Sequence, residues 1–194
     1  MRNNRRIIVM RTDIGFAFDL HGTLVLSNDA WIDAFVTEIG QESIRNKITD
    51  MVYRKHSRSI IAERFGVRYE KVIERYHSLI KPDIKMCKLA RELANHYPVF
   101  LISSANKEKV ERDICTISMN NVFASVYHKE IFCKSCKDDW QSLITDNHLD
   151  LLFYIGNDIE EDVVLSDHIC VLISGAFLNS LNELGMLFNR NKEE

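Results

Sequence analysis

The sequence has little of what marks several large protein classes. It holds only 2 prolines and 7 glycines in 194 residues, which argues against long linkers and low-complexity regions. No apolar run is long enough to span a membrane. The basic start at residues 1–9 also lacks the long apolar region and the cleavage site of a signal peptide. These absences favour one globular domain, with room for a small insert.

The cysteine content and the net charge do not indicate disulfides, a structural zinc site or a strongly charged partner. The 5 cysteines are odd in number and scattered, which is typical of free thiols in a reducing compartment, so we predict a cytoplasmic protein. Cys133 and Cys136 form a C-x-x-C pair, but no second pair is present to complete a structural zinc site. The net charge of −3 gives no general attraction to nucleic acid or anionic membranes, and we expect neither as a partner. The oligomeric state is left open.

The most informative stretch is residues 14–24. An apolar run typical of a buried strand ends at Asp19, and Gly22-Thr23 follows, where the chain can turn sharply. A carboxylate at the carboxyl end of such a strand lies in the crevice where open α/β sheets bind ligands. Taken alone, Asp19 is equally well explained as a residue that closes a strand and caps the next element.

Apolar runs and helical patterns alternate along the rest of the chain. Further strands are predicted at 99–102, 122–128, 149–155 and 168–173, with helices starting near 83 and covering 107–117, 138–145 and 177–188. This alternation predicts an α/β fold with a Rossmann-like, doubly wound parallel sheet. Residues 27–80 show helical spacing instead and predict four short helices. We therefore divide the chain into a core of residues 1–26 and 81–194 and a helical insert of residues 27–80.

Polar groups follow the strands in a distinctive order. They are Asp19-Leu20-His21-Gly22-Thr23 after the first strand, Ser103-Ser104 after the second, a lysine in the loop beyond the third, and Gly156-Asn157-Asp158 with Asp162 after the fourth. This order resembles the haloacid dehalogenase superfamily of aspartate-nucleophile phosphohydrolases, over about residues 14–188. The resemblance implies a small helical cap of the first cap class at 27–80. It also implies a Mg²⁺-dependent phosphohydrolase that acts on a small phosphorylated metabolite, such as a sugar phosphate or a nucleotide-like compound.

The resemblance assigns roles to these residues. Asp19 is the nucleophile, which would form an acyl phosphate and split one displacement into two. Ser103 donates to a phosphoryl oxygen, although Ser104 is adjacent and a helix cap explains Ser103 as well. Gly22, Thr23 and Ser104 belong to the substrate-binding set. For the charge-neutralising lysine, Lys137 is preferred, Lys134 competes with it, and Lys129 is a weaker candidate.

The implied magnesium site combines oxygen atoms from two strand ends, as Mg²⁺ prefers. Asp19, Asp158 and the backbone carbonyl of His21 are expected as direct ligands, and Asp162 as a ligand either directly or through water. Asn157 stands where the superfamily often has Asp, so either Asn157 or Asp158 faces the metal. An acidic helix start would explain the carboxylates without a metal.

His21 departs from the superfamily pattern, which has a second Asp at this position. Three interpretations are open. His21 is the general acid and base, for which its pKa near neutrality is suited; or the protein acts slowly or on esters with good leaving groups; or it has lost catalysis and kept phosphate binding. The last defines a rival function, a catalytically weak binding or regulatory protein on the same fold.

Overall fold

A five-stranded parallel sheet forms the centre of the protein. The computed structural model describes residues 13–157 and 169–173, and its strands lie in the order β3-β2-β1-β4-β5. The strands are β1 (Ile14–Asp19), β2 (Val99–Ile102), β3 (Ser125–Tyr127), β4 (Leu151–Gly156) and β5 (Ile169–Ile173). β1 pairs in parallel with β2 on one side and with β4 on the other. The order reverses at β1, so its carboxyl end is the switch point where such sheets bind ligands.

Helices connect the first four strands, as parallel pairing requires. They are α1 (Ser27–Ile39), α2 (Arg45–Tyr53), α3 (Arg58–Arg64), α4 (Tyr69–Leu79), α5 (Ile84–Ala94), α6 (Lys107–Thr116) and α7 (Lys137–Asp146), with a short 3-10 turn at Glu42–Ile44. Asp83 caps α5 by accepting hydrogen bonds from two backbone N–H groups at 3.0 Å. Asn106 caps α6 in the same way, with its Oδ1 3.0 Å from the N–H of Lys109. These caps satisfy donors that would otherwise be orphaned at the helix starts.

Two apolar clusters cover the two faces of the sheet. Successive residues of β1 point to opposite faces, so Phe16 and Phe18 join one cluster with α5 and α6, while Ala17 joins the other. The second cluster contains Trp140 of α7, which is almost fully buried. The sheet is thus covered by helices on both faces, and the predicted doubly wound α/β fold is confirmed.

The predicted insert between β1 and β2 contains α1 to α4, and the prediction of four short helices is confirmed. Its helices pack through an aromatic group in which Trp31 of α1 stacks on Tyr76 of α4 with ring centroids 4.0 Å apart. Tyr76 is fully buried, and Tyr69 stacks on the same indole at 6.4 Å. The division of the chain into a core and a separate cap stays a prediction.

Most predicted elements are present, with changed ends. β3 starts at Ser125 instead of 122, because residues 119–122 form a turn closed by Val122 N–H donating to Met119 O at 3.2 Å. The predicted helix at 177–188 lies outside the described residues. No helix in the part of the chain that the structure describes has both the length and the apolar character needed to cross a membrane.

Candidate active site

Asp19 is the last residue of β1 and forms an ion pair with Lys134. The Lys134 ammonium donates to Asp19 Oδ1 at 2.7 Å, and both side chains are only 8% exposed. The Lys134 ammonium also lies 5.5 Å from the ring centroid of Tyr154, and its backbone carbonyl accepts from the indole N–H of Trp140 at 2.7 Å. A carboxylate and a cation are therefore held at the switch point of the sheet by the packed loop before α7.

The lysine nearest Asp19 is not the one that the sequence analysis preferred. Lys137, the preferred candidate, is an exposed first residue of α7, and Lys129 is an exposed loop residue. The competitor Lys134 is the one paired with Asp19. The physical reason is the turn at 133–136, closed by Cys136 N–H donating to Cys133 O at 2.9 Å, which turns Lys134 inward before the helix begins.

Ser103 follows β2 directly and is 2% exposed. Its N–H donates to Tyr127 O at 2.9 Å, and its Oγ accepts from Ala105 N–H at 3.2 Å. Because Oγ already accepts, its own proton is available to another acceptor. Ser104 is exposed instead, so the structure distinguishes the two serines that the sequence left as alternatives.

Gly22 and Thr23 lie in a tight loop after β1. Gly22 N–H donates to Val25 O at 2.7 Å, and Gly22 has a φ of +90°, a conformation that strongly favours glycine. A Cβ atom at Gly22 would overlap the side-chain amide of Asn157, so a side chain there would displace Asn157 from its present position. Thr23 is buried, with its Oγ1 3.5 Å from Asn157 Oδ1.

Asn157 brings the end of β4 to the end of β1. With Nδ2 turned towards β1, its amide donates to Asp19 Oδ2 at 3.2 Å and to the His21 backbone oxygen at 3.1 Å. With Oδ1 turned the same way, three oxygen atoms that can only accept converge, and this arrangement requires a cation. Neighbouring ligands of an octahedral Mg²⁺ at about 2.1 Å lie about 3 Å from one another. Asp19, the His21 carbonyl and Asn157 therefore fit Mg²⁺.

Two further carboxylates were expected as magnesium ligands. Asp158 and Asp162 lie outside the described residues, and their assignment stays a prediction. Within residues 13–157 and 169–173, no three His, Cys, Asp or Glu side chains are grouped so that they could hold a metal. The fit to Mg²⁺ consequently depends on one carboxylate, one amide and one backbone carbonyl.

The side chain of His21 turns towards α6. Its Nε2 lies 2.7 Å from Asp113 Oδ2, and its Nδ1 lies 3.4 Å from Ser103 Oγ. Lys109, one turn before Asp113 on α6, donates to the same Oδ2 at 2.6 Å and to Tyr76 Oη at 3.0 Å. Four ionisable side chains are thus joined to Ser103 through His21.

Burial is the main influence on His21. Burial lowers the pKa of His21, as does the nearby Lys109 ammonium, and the hydrogen bond to Asp113 only partly offsets this. For Asp113, burial alone would raise the pKa, but the hydrogen bond from His21 and the charge of Lys109 outweigh it and lower that pKa. The imidazole is therefore biased towards its neutral form beside an ionised carboxylate.

Asp113, Lys109 and Tyr76 were missed by the sequence reasoning. A signal was present, since Asp113 follows Val110 by three residues and precedes Ile114, both of which are buried on α6. An acidic residue on the apolar stripe of a helix is unusual and indicates a partner. Lys109 at i−4 was the partner that could have been recognised.

Comparison with solved structures shows which known fold this chain shares. No family model and no curated protein sequence matches the chain. A solved hydrolase from Streptococcus pneumoniae TIGR4 is similar with a TM-score of 0.67 and 16% identity, over 87% of this chain and 97% of that one. A HAD-superfamily hydrolase of subfamily IA from Geobacter sulfurreducens gives 0.58 and 11%, over 78% and 80%. The chain has the fold of the haloacid dehalogenase-like (HAD) hydrolases.

A third similar structure, a predicted phosphoglycolate phosphatase from Haemophilus somnus 129PT, has a TM-score of 0.58 and 11% identity, over 84% of this chain and 86% of that one. All three similarities extend over most of both chains, and the sequence identities are low. The comparison therefore establishes the HAD fold and its extent.

Proposed function

We propose that the protein is a phosphohydrolase that cleaves a small phosphate monoester through an aspartyl-phosphate intermediate on Asp19. The observation that supports it most is the buried pair of Asp19 and Lys134 at the switch point of a HAD fold, with both side chains 8% exposed. A carboxylate that is buried beside a cation is kept ionised and hence nucleophilic. The phosphatase among the similar structures supports the same class of substrate.

The first step is an attack of Asp19 on phosphorus. One carboxylate oxygen bonds to the phosphoryl group while the bond between phosphorus and the ester oxygen breaks, and the alcohol leaves with a proton. Lys134 offsets the negative charge of the nucleophile and the phosphoryl group. The hydroxyl of Ser103 donates to a phosphoryl oxygen.

Mg²⁺ held by Asp19, the His21 carbonyl, Asn157 and the predicted ligands Asp158 and Asp162 would neutralise phosphoryl charge. The second step is hydrolysis of the intermediate. Water attacks, its proton is accepted by a base, and inorganic phosphate is released with Asp19 restored.

His21 is the proposed acid and base. In its neutral form the imidazole has one nitrogen that can accept a proton from water, and the lowered pKa of His21 favours this form near neutrality. Protonation of the leaving alcohol needs the imidazolium, which is the less favoured form. We therefore expect efficient hydrolysis of the intermediate and a preference for esters whose alcohol leaves without much help.

A second candidate function is a phosphate-binding protein with little turnover. The position of His21 favours it, because burial beside the Lys109 ammonium lowers the pKa of His21 and so disfavours the proton donor that an alkyl ester requires. The two candidates share the same anion site and differ only in whether the ester bond breaks.

A panel of alkyl and aryl phosphate esters with Mg²⁺ tests the proposal. The wild-type protein should release inorganic phosphate, and Asp19→Asn, which is nearly isosteric, should reduce release by about 10³-fold or more while the protein stays folded. Acid-quenched protein should carry phosphate on Asp19 in the wild type and none in the variant. Wild-type turnover in Asp19→Asn would contradict the assignment of the nucleophile. Binding of phosphate without any turnover would favour the second candidate.

A further inference from the structure

Asp113 is a fully buried carboxylate in α6, at 0% exposure. Its Oδ2 is shared by His21 Nε2 at 2.7 Å and Lys109 Nζ at 2.6 Å. Its Oδ1 has no hydrogen-bond partner among the described residues, and His77 Nδ1 lies 3.6 Å away. Buried polar atoms without a partner are rare in folded proteins and call for a reason.

Packing does not supply that reason. Val110 and Ile114 flank Asp113 on the same buried face of α6, and an apolar side chain would continue this face. Buried ion pairs can often be replaced by apolar residues of similar volume without loss of stability. The carboxylate is therefore better explained by what it does to its neighbours.

We propose that Asp113, with Lys109 and Tyr76, is a positioning unit that fixes the proton of His21 on Nε2 and presents Nδ1 to the reacting groups. This inference rests on the proposed function, because His21 Nδ1 has a chemical role only if an ester or an acyl phosphate is bound at Asp19.

The shorter of two polar contacts at His21 Nε2 favours one position for the ring proton. An ionised carboxylate can only accept, so the 2.7 Å contact places the N–H on His21 Nε2. A bare Nε2 could accept from the Lys109 ammonium 3.0 Å away, but its lone pair would also face Asp113 Oδ2 at 2.7 Å, which is repulsive. The shorter contact, with the carboxylate, therefore favours the N–H on Nε2. Nδ1 then carries the lone pair of the neutral ring, and the Ser103 hydroxyl, 3.4 Å away, can donate to it until a reacting group takes its place.

Lys109 and Tyr76 hold the carboxylate in place. The Lys109 ammonium donates to Asp113 Oδ2 and, at 3.0 Å, to Tyr76 Oη, and it lies 4.5 Å from the Tyr76 ring centroid. Tyr76 belongs to α4 and stacks on Trp31 at 4.0 Å, so the insert helices fix one end of the unit. His21 is thereby oriented by groups from both α4 and α6.

The first test reads the tautomer directly, without substrate. In protein carrying ¹⁵N-labelled histidine, the ring nitrogens of His21 are assigned by loss of their signals in His21→Gln. We expect the Nε2–H tautomer in the wild type. Asp113→Asn, whose amide can either accept or donate, should give a mixture. Glu111→Gln, which removes an exposed carboxylate from the same helix, should leave the tautomer unchanged. A wild-type Nδ1–H tautomer would overturn the proposal.

The second test is a double-mutant cycle on two esters. Asp113→Asn should lower kcat/KM for an alkyl ester by about 10²-fold or more and for an aryl ester by less than about 10-fold, because only the alkyl leaving group needs an acid. In a His21→Ala background, Asp113→Asn should cost no more than about 3-fold on either ester, since residues that act as one unit are not additive. Losses that multiply fully, or an unchanged alkyl-to-aryl ratio, would refute positioning.

Tyr76→Phe removes only the hydroxyl that accepts from Lys109. This variant replaces Asp113→Asn in the ester assay if Asp113→Asn does not fold. It should shift the alkyl-to-aryl ratio in the same direction by a smaller factor, and an unchanged ratio would count against the unit. Failure of the proposed function has a different signature, in which the wild type hydrolyses neither ester. In that case the ¹⁵N measurement alone tests the positioning unit. The Nε2–H tautomer in the wild type and a mixture in Asp113→Asn would support it.

Discussion

Replacement of Lys134 by Met should damage both stability and catalysis, whereas the same replacement at Lys137 should change neither. The two lysines lie three residues apart, carry the same charge and differ in burial. Lys134 lies 2.7 Å from Asp19 and is 8% exposed, while Lys137 is exposed at the start of α7. Met keeps the length of the side chain and removes only the charge, so the pair forms a matched comparison.

The magnitude follows from the distance. Two unit charges 2.7 Å apart attract each other by about 6 kcal/mol at an effective dielectric constant of about 20. Desolvation offsets part of this, and removal of one partner from a buried pair typically costs about 3 kcal/mol or somewhat more. For a chain of this size, 3 kcal/mol lowers Tm by about 6–12 °C. An exposed lysine such as Lys137 should contribute within about 0.5 kcal/mol.

The assay is thermal unfolding without divalent cations, followed by phosphate release with Mg²⁺. In Lys134→Met we expect the lower Tm and a loss of about 10²–10³-fold in kcat, because a preorganised charge at the reacting group is removed. Since the pair is shielded from solvent, the Tm difference should persist when salt is raised to about 0.5 M. Equal Tm and equal kcat in the Lys134 and Lys137 variants would refute the assignment of Lys134 to the site.

Three further predictions concern the metal site and the thiols. Millimolar Mg²⁺ should raise the wild-type Tm because it binds only the folded state, and Asn157→Leu should reduce this shift; an equal shift in both would contradict the role of the amide. Gly22→Ala should lower the free energy of unfolding by about 1–2 kcal/mol, from its φ of +90° and its contact with Asn157, and should weaken the Mg²⁺ response in the same titration. The hydrogen bond from Ser135 lowers the pKa of the exposed Cys133 thiol, while burial raises that of Cys87 to about 11. Because the thiolate is the reactive form, Cys133 should be alkylated by iodoacetamide in folded protein, Ser135→Ala should move the pH profile of this reaction upwards, and Cys87 should react only after unfolding.

The sheet was predictable because its signal is local. Strands buried on both faces require continuous apolar runs, and residues 99–102 and 151–155 are such runs. The candidate site at the end of β1 was predictable for the same reason, since Asp19 ends an apolar run and a glycine follows three residues later. In the structure that glycine takes a positive φ.

What could not be predicted depends on contacts between distant segments. Lys134 and Lys137 have the same local chemistry, and only the packing of Trp140 and the turn at 133–136 decides which one reaches Asp19. The partners of His21 come from α6 and, through Lys109, from α4, so no spacing along the chain reveals them. Asp113 on an apolar helix stripe was visible, but its partner His21 lies 92 residues away.

The central position of β1 has a consequence for how the chain folds. β1 precedes the other described strands in the chain, yet both of its neighbours, β2 and β4, follow much later, and α1 to α5 are made between β1 and β2. Closing such long loops costs entropy before any strand pairing compensates for it, whereas contacts between the insert helices close over short separations. On the ribosome, the helices of residues 27–80 have native partners before β1 does. The second edge of β1 is paired only when β4, residues 151–156, emerges. A nascent chain arrested before β4 therefore carries an unpaired apolar strand edge, the kind of surface on which chaperones act and from which aggregation starts.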